Sequence, residues 1–181
     1  MKWKMIVAMD ENRLIGKDER LPWRIPEDIA WYQSQTDGKL LLMGRKTFEG
    51  IKRRPEGTNY IVLSQSLDPE LHDTKTVTVI NDIGEICSLP LQGEGWVCGG
   101  GTLYELMLPF CAEIILTEVK GSHEGDTYFP NFDAYYTYKE TLLTHETFVV
   151  KRYVHKNYHE EAFDNYCLLN RIEHISTLED E

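Results

Sequence analysis

Short apolar runs rich in β-branched residues recur along the chain, and turn residues separate them. Residues 3–9 are predicted to form a buried strand. Residues 10–24 contain Gly16 and Pro22, show no periodicity and are read as a long loop. Loops of that length inside a compact domain are usually functional. Pro26-Glu27-Asp28 opens a helix, since proline fits the first turn and early acids suit the dipole. That helix runs to about Thr36, where Asp37-Gly38 ends it. Residues 40–43 are a wholly apolar strand, Gly44 follows, and 45–52 are helical. Strands at 59–64 and 74–80 and a short helix at 83–88 come next. The strand at 96–98 leads into Gly99-Gly100-Gly101 and a helix over 102–110. Residues 113–119 form a strand, and 146–154 with 164–172 are expected to close the sheet as an antiparallel pair. Strands alternating with helices predict an α/β fold with a mostly parallel sheet, helices on both faces and an antiparallel end. Ligands of such sheets bind beyond the carboxyl ends of strands. The conspicuous residues collect there: 10–23, Gly44-Arg45-Lys46-Thr47, Ser64-Gln65 and Gly99-Gly100-Gly101.

Composition narrows the function classes. The 181 residues are 41% hydrophobic and 27% charged, enough for one domain with a real core. Residues 1–175 are read as that domain and 176–181 as a frayed acidic tail. Nineteen bases against 30 acids give a net charge of −11, which excludes a global basic field for nucleic acid or an anionic membrane. No apolar run approaches the roughly 18 residues of a membrane span, and a cytoplasmic protein is expected. Cys87, Cys98, Cys111 and Cys167 are widely spaced, without a CxxC pair, so no metal site is expected and the thiols are read as reduced. No heptad or large apolar stripe calls for an obligate protein partner, and a monomer is expected.

Three features carry chemistry. Gly44-Arg45-Lys46-Thr47 places a glycine, two cations and a hydroxyl at a strand-to-helix junction, where free amides favour an anion. Residues 39–58 hold six bases and two acids, a local excess of positive charge inside an acidic protein. A solvated basic face explains that excess equally well without the glycine; with it, a phosphate-bearing ligand is the better reading. Gly99-Gly100-Gly101 is a second such junction, and by itself is equally a tight turn. Two such junctions in one α/β chain suggest a dinucleotide. Asp28 is the odd acid among Ile25, Ile29, Trp31 and Tyr32: either an ordinary first-turn acid or, if it faces a cleft, a carboxyl raised by burial that holds or relays a proton. No acid or histidine stands at dyad spacing to it, and no serine has a nucleophile-elbow context, so hydrolysis has little support.

With these residues in view, the chain resembles dihydrofolate reductase, in its bacterial form with Asp at the pterin site. The resemblance rests on Ile6-Val7-Ala8, Leu14-Ile15-Gly16, Leu21-Pro22-Trp23, Pro26-Glu27-Asp28, Met43-Gly44-Arg45-Lys46-Thr47-Phe48, Ile61-Val62-Leu63-Ser64, Gly99-Gly100-Gly101 with Tyr104, Leu116-Thr117, and Glu124-Gly125-Asp126-Thr127 with Phe129-Pro130. Each motif is weak alone; the ordered set, spanning about residues 4–170, is specific. It implies a three-layer α/β fold with a central, mostly parallel eight-stranded sheet, an antiparallel C-terminal strand and an adenosine-binding subregion at about 39–90.

The resemblance further implies NADPH-dependent reduction of 7,8-dihydrofolate to 5,6,7,8-tetrahydrofolate, with hydride passing to C6 and a proton to N5. Asp28 would bind the pterin and tune its protonation, Thr117 would complete that network, Trp23 would place a water, and Leu21 would sit in a mobile loop closing over the nicotinamide. Ile6, Val7 and Cys98 would border the pterin, and Ile29, Tyr32 and Ile51 would wall the p-aminobenzoyl ring. Ala8, Ile15, Gly16, Leu63, Leu103, Tyr104 and Thr127 would border NADPH. Arg45, Ser64 and Gln65 would face its 2′-phosphate. Gly44, Lys46 and Thr47 would hold its pyrophosphate, with Gly99, Gly100, Gly101 and Thr102 at the second turn. Gly125 would support the mobile loop. One position departs from the family: where an arginine grips the substrate's α-carboxylate, this chain has Thr58. Arg53 or Arg54 would then take the tail, or the substrate lacks it. That departure keeps a related reductase of another pterin or a riboflavin-pathway pyrimidine as an alternative, beside a non-catalytic pterin- or nucleotide-binding module.

Overall fold

Burial alternates along the first strand of this computed structural model, which describes the backbone of residues 1–179 and the side chains of residues 1–70 and 72–170. In β1 (Lys2–Met9), Trp3, Met5, Val7 and Met9 enter one hydrophobic cluster while Ile6 enters another. A strand's side chains point alternately to its two faces, so β1 has a covered layer on each side. The same division recurs in β3 (Leu40–Gly44), where Leu42 faces one layer and Leu41 and Met43 the other, and in β7 (Glu113–Val119), where Ile114 and Leu116 oppose Ile115 and Val119.

The remaining sheet strands are β4 (Asn59–Leu63), β5 (Val77–Ile80), β6 (Glu94–Val97), β9 (Tyr136–Thr144) and β10 (Phe148–His155). Their spatial order is β5-β4-β3-β6-β1-β7-β10-β9. Every pairing from β5 to β7 is parallel, and β10 is antiparallel to both of its neighbours. This is the expected eight-stranded, mostly parallel sheet. Helices α1 (Pro26–Thr36) and α2 (Arg45–Glu49) border the cluster containing Ile6, with Trp31, Tyr32 and Phe48 packed on it. Helix α4 (Gly101–Met107) and a 3-10 turn (Ile83–Ser88) supply Leu103, Met107, Ile83 and Ile86 to the other cluster. A one-turn helix, α3 (Pro69–His72), precedes β5, and a two-stranded ribbon joins β2 (Leu14–Gly16) to β8 (Thr127–Tyr128).

The C-terminal expectation is corrected. Residues 164–172 belong to α5 (Ala162–Glu179), not to a strand, and β10 pairs with β9. Phe163 and Cys167, four positions apart, are both buried, and Phe163 and Tyr166 contact the Phe110 ring, so these residues have helical spacing. Strand β9 escaped a reading based on apolar runs because, after Tyr136, all of its residues are exposed. Of the expected tail, 176–179 continue α5, and residues 180–181 lie outside the described residues.

Candidate active site

Asp28 lies in the first turn of α1, on the helix face that also carries Tyr32 and Thr36 at i+4 and i+8. It is 7% exposed, and the Thr117 hydroxyl of β7 donates to its Oδ1 at 2.8 Å. Thr117 points to that face because Ile115 and Val119, its alternation partners, do. Burial pushes the Asp28 carboxyl above its ordinary value, and the Thr117 hydrogen bond opposes the rise. Near it, the Cys98 thiol is pushed up to about 12 by burial, and the Tyr32 phenol is raised by burial and by Cys98. Burial thus disfavours the charged form of all three groups, and Asp28 is the carboxyl among them.

The loop after β1 is anchored by an acid the motif reading passed over. The Asp10 carboxylate is fully buried and accepts backbone N–H groups of Asn12 (2.8 Å), Leu14 (3.0 Å) and His123 (2.8 Å). Burial alone would raise its pKa, but these amides outweigh burial and hold it below the usual carboxylate range. Asp10 thereby ties the loop to the segment between β7 and β8. His123 of that segment packs against Trp23 with ring centroids 5.1 Å apart and ring planes tilted by 59°. Trp23 Nε1 is buried and has no protein partner. Further along, Asp126 N–H donates to Gly16 O (3.0 Å) and Asp18 N–H to Asp126 Oδ2 (3.2 Å). Gly125 lies so close to the loop that a Cβ there would come within 2.8 Å of Leu14 Cδ1. Leu21 is 49% exposed at the loop's outer end.

The two glycine junctions lie side by side, with Gly44 N–H donating to Gly99 O at 2.8 Å. Neither Gly44 nor Gly100 provides a side-chain cap, so the first-turn amides of α2 and α4 keep no side-chain acceptor. Thr47 borders the same cradle: a Cβ on Gly100 would stand 3.7 Å from its Oγ1. Gly101 approaches Thr127 and Ile15 across it. Open amides, a hydroxyl and the cations Arg45 and Lys46 are a donor set that fits the phosphates of a dinucleotide. The cations have protein partners here: Arg45 bonds Glu49 through both oxygens (3.0 and 2.9 Å), and Lys46 pairs with Glu19 of the loop. Ser64 Oγ caps the turn after β4, accepting from Ser66 and Leu67, while Gln65 beside it is exposed.

Other expected site residues fall into two groups. Ile6, Val7 and Ala8 lie in β1 beside Thr117, and the Tyr104 hydroxyl donates to Ile6 O at 2.7 Å. Leu63 ends β4, Leu103 is buried in α4, and Ile51, after α2, packs against the same apolar cluster as Tyr32. Ile29, by contrast, is 39% exposed. Arg53 bonds Asp37 at 2.6 Å, and Arg54 lies over the Phe48 ring. Thr58 is buried, its hydroxyl accepting the Gly38 N–H at 2.8 Å. Asp10 and His123 were the residues that sequence reasoning missed; the Asp-x-Asn-x-Leu spacing after β1 was a signal for an acid folding back on its own loop.

Known proteins are similar to this chain in sequence and fold. The dihydrofolate reductase family model matches residues 2–159. The dihydrofolate reductase of Bacillus subtilis (strain 168) is 41% identical over 128 residues, 71% of this chain and 75% of that protein. A dihydrofolate reductase of Haloferax volcanii is 33% identical over 144 residues, covering 74% and 73%. A solved dihydrofolate reductase from Enterococcus faecalis, complexed with NADP(H) and RAB-propyl, superposes with a TM-score of 0.74 at 27% identity, over 86% of this chain and 97% of that one. Together with the sheet order and the buried acid in α1, these matches show that the chain belongs to the dihydrofolate reductase family.

Proposed function

We infer that this protein reduces 7,8-dihydrofolate to 5,6,7,8-tetrahydrofolate with NADPH. Family membership and the NADP(H)-bound relative support the activity and the cofactor. The observation that carries the site assignment is the buried Asp28–Thr117 pair in the cleft between α1 and the sheet. Its position fits a ligand that donates hydrogen bonds from adjacent nitrogens, as the 2-amino group and N3 of a pterin do.

When bound, NADPH supplies the hydride. The chain's residues do the rest. Asp28 holds the pterin by its amidine edge; with its pKa raised by burial, it also holds or passes on a proton toward N5. Thr117 fixes the carboxylate's orientation. Trp23, with its unpartnered indole N–H, positions a water for that transfer. Leu21 and the loop anchored by Asp10 cover the nicotinamide side and exclude bulk water. Tyr32 and Ile51 wall the p-aminobenzoyl ring. Gly44, Thr47, Gly100, Gly101 and Thr102 cradle the pyrophosphate, with Lys46 exchanging Glu19 for it. Arg45, Ser64 and Gln65 take the 2′-phosphate, within an adenosine subregion over about 39–90. Among the described residues no helix is long and apolar enough to cross a membrane, and four cysteines in the thiol form fit a reducing cytoplasmic setting.

The test is NADPH oxidation by the purified protein with dihydrofolate, beside Asp28→Asn. Turnover in the wild type and its loss by at least about 100-fold in the variant, with NADPH affinity kept, is the expected result. Equal turnover in both would remove Asp28 from the chemistry.

A further inference from the structure

Strands β3, β4 and β5 end in line. Gly44 pairs with Leu63 and Leu63 with Ile80, so Arg45, Ser64 and Asn81 stand just beyond three adjacent carboxyl ends, the edge where ligands of parallel sheets bind. The turn that starts at Ser64 is held at both ends by one side chain: Asn81 Nδ2 donates to Ser64 O at 2.5 Å and to Leu67 O at 3.0 Å. Inside the turn, Ser64 Oγ accepts the N–H groups of Ser66 and Leu67 at 3.2 and 3.1 Å. Its lone pairs are thereby used and its own O–H is left as a donor, while Gln65 and Ser66 are exposed between the two braced carbonyls. Asn81 is itself fixed. Its N–H donates to Glu85 Oε1 at 3.0 Å, and the same oxygen accepts the Asp82 N–H at 2.9 Å. Asp82 Oδ1 in return accepts the Gly84 N–H at 2.7 Å, a reciprocal cap on the 3-10 turn Ile83–Ser88. Ile83 and Ile86 anchor that turn in the core, and α5 packs behind it: a Cβ on Gly84 would stand 3.9 Å from Cys167 O. Helix α5 lies outside the residues 2–159 that match the family model, so this backing comes from beyond the matched domain. Both hydrogens of the Asn81 amide are engaged by the turn, so this side chain has no donor left for a ligand.

We propose that Asn81 is a positioning residue for the cofactor: by clamping Ser64 O and Leu67 O it holds the donors of the Ser64–Ser66 turn in the shape that fits the 2′-phosphate, and so sets the preference for NADPH over NADH. This rests on the reading above that Arg45, Ser64 and Gln65 take that phosphate, and adds to it a residue that acts through the turn. A turn already ordered in the free protein loses less conformational freedom on binding, and only the nucleotide that carries the phosphate gains from that order.

The experiment measures dissociation constants of NADPH and of NADH by isothermal titration calorimetry, with Tm alongside. It uses the wild type, Asn81→Ala, Asn81→Gln and Arg45→Met. Asn81→Ala is expected to weaken NADPH about tenfold and NADH less than about twofold, so the preference falls about tenfold. Asn81→Gln keeps the amide donors on a longer arm and recovers part of the loss. An unchanged preference in Asn81→Ala overturns the proposal. So does an equal loss for both nucleotides, which is what a merely structural role would give. A wild type that binds NADPH no tighter than NADH refutes the 2′-phosphate reading and the proposal with it. A preference that falls in Arg45→Met but not in Asn81→Ala upholds that reading and refutes the proposal alone.

Discussion

Replacing Asp10 by Asn tests whether the loop over the site is held by one buried carboxylate. The variant keeps Oδ1, which receives Asn12 and Leu14, but sets an amide NH2 against the His123 N–H that Oδ2 now accepts at 2.8 Å. One charge-assisted bond is lost and a buried donor is left facing a donor, a cost of about 2 kcal/mol. For a chain of this size that lowers Tm by about 4–8 °C. Because the folded pKa lies below the ordinary value, Asp10's contribution is present above the ordinary carboxylate range and is lost as pH falls through the folded pKa. Urea unfolding of both proteins from about pH 5 to 8 should therefore show a constant difference, shrinking only in acid. The freed segment carries His123, which packs against Trp23, so kcat should fall together with stability. A variant with wild-type Tm and kcat at neutral pH would refute the anchoring role; a difference growing below pH 5 would refute its sign.

Three other outcomes follow from the same geometry. Asp28→Asn should raise Tm at pH 7 while abolishing turnover: with a folded pKa above the ordinary value, the group's contribution is fully present only below the ordinary carboxylate range and is lost as pH rises, so the variant's advantage should be greater at pH 7 than at pH 4 by thermal unfolding. A variant less stable than wild type at pH 7 contradicts this. Gly125→Val should lower kcat and Tm together and shift tryptophan emission, because its side chain meets the fully buried Leu14 and the Gly16 backbone; unchanged kcat, Tm and emission would show that the loop yields freely. Phe148→Ala, at a fully buried ring between β10 and the α1 face, should cost about 3–5 kcal/mol in urea unfolding, and a loss under about 1 kcal/mol would mean the site collapses around the gap.

Local chemistry wrote much of this molecule into its sequence. β1, α1, β3, β4 and β7 were legible because each is an apolar run or a proline-opened helix bounded by glycine, proline or aspartate, and such boundaries act through backbone geometry within a few residues. The glycine junctions were legible for the same reason, and the ordered motifs pointed to the family. What tertiary structure decided is what depends on partners distant in the chain. Asp28 is an ordinary first-turn acid until Thr117, 89 positions away, donates to it at 2.8 Å in a buried setting. Asp10 acquires its role from an amide 113 positions away. Tyr136–Thr144 is a strand because β10 offers it a backbone edge, although its side chains after Tyr136 bury almost nothing. Residues 164–172 are helical because Phe163 and Cys167 find the core at four-residue spacing. Arg53 and Arg54, adjacent in sequence, were indistinguishable there; the fold gave one an aspartate and the other an aromatic face, partners that adjacency in the chain does not specify.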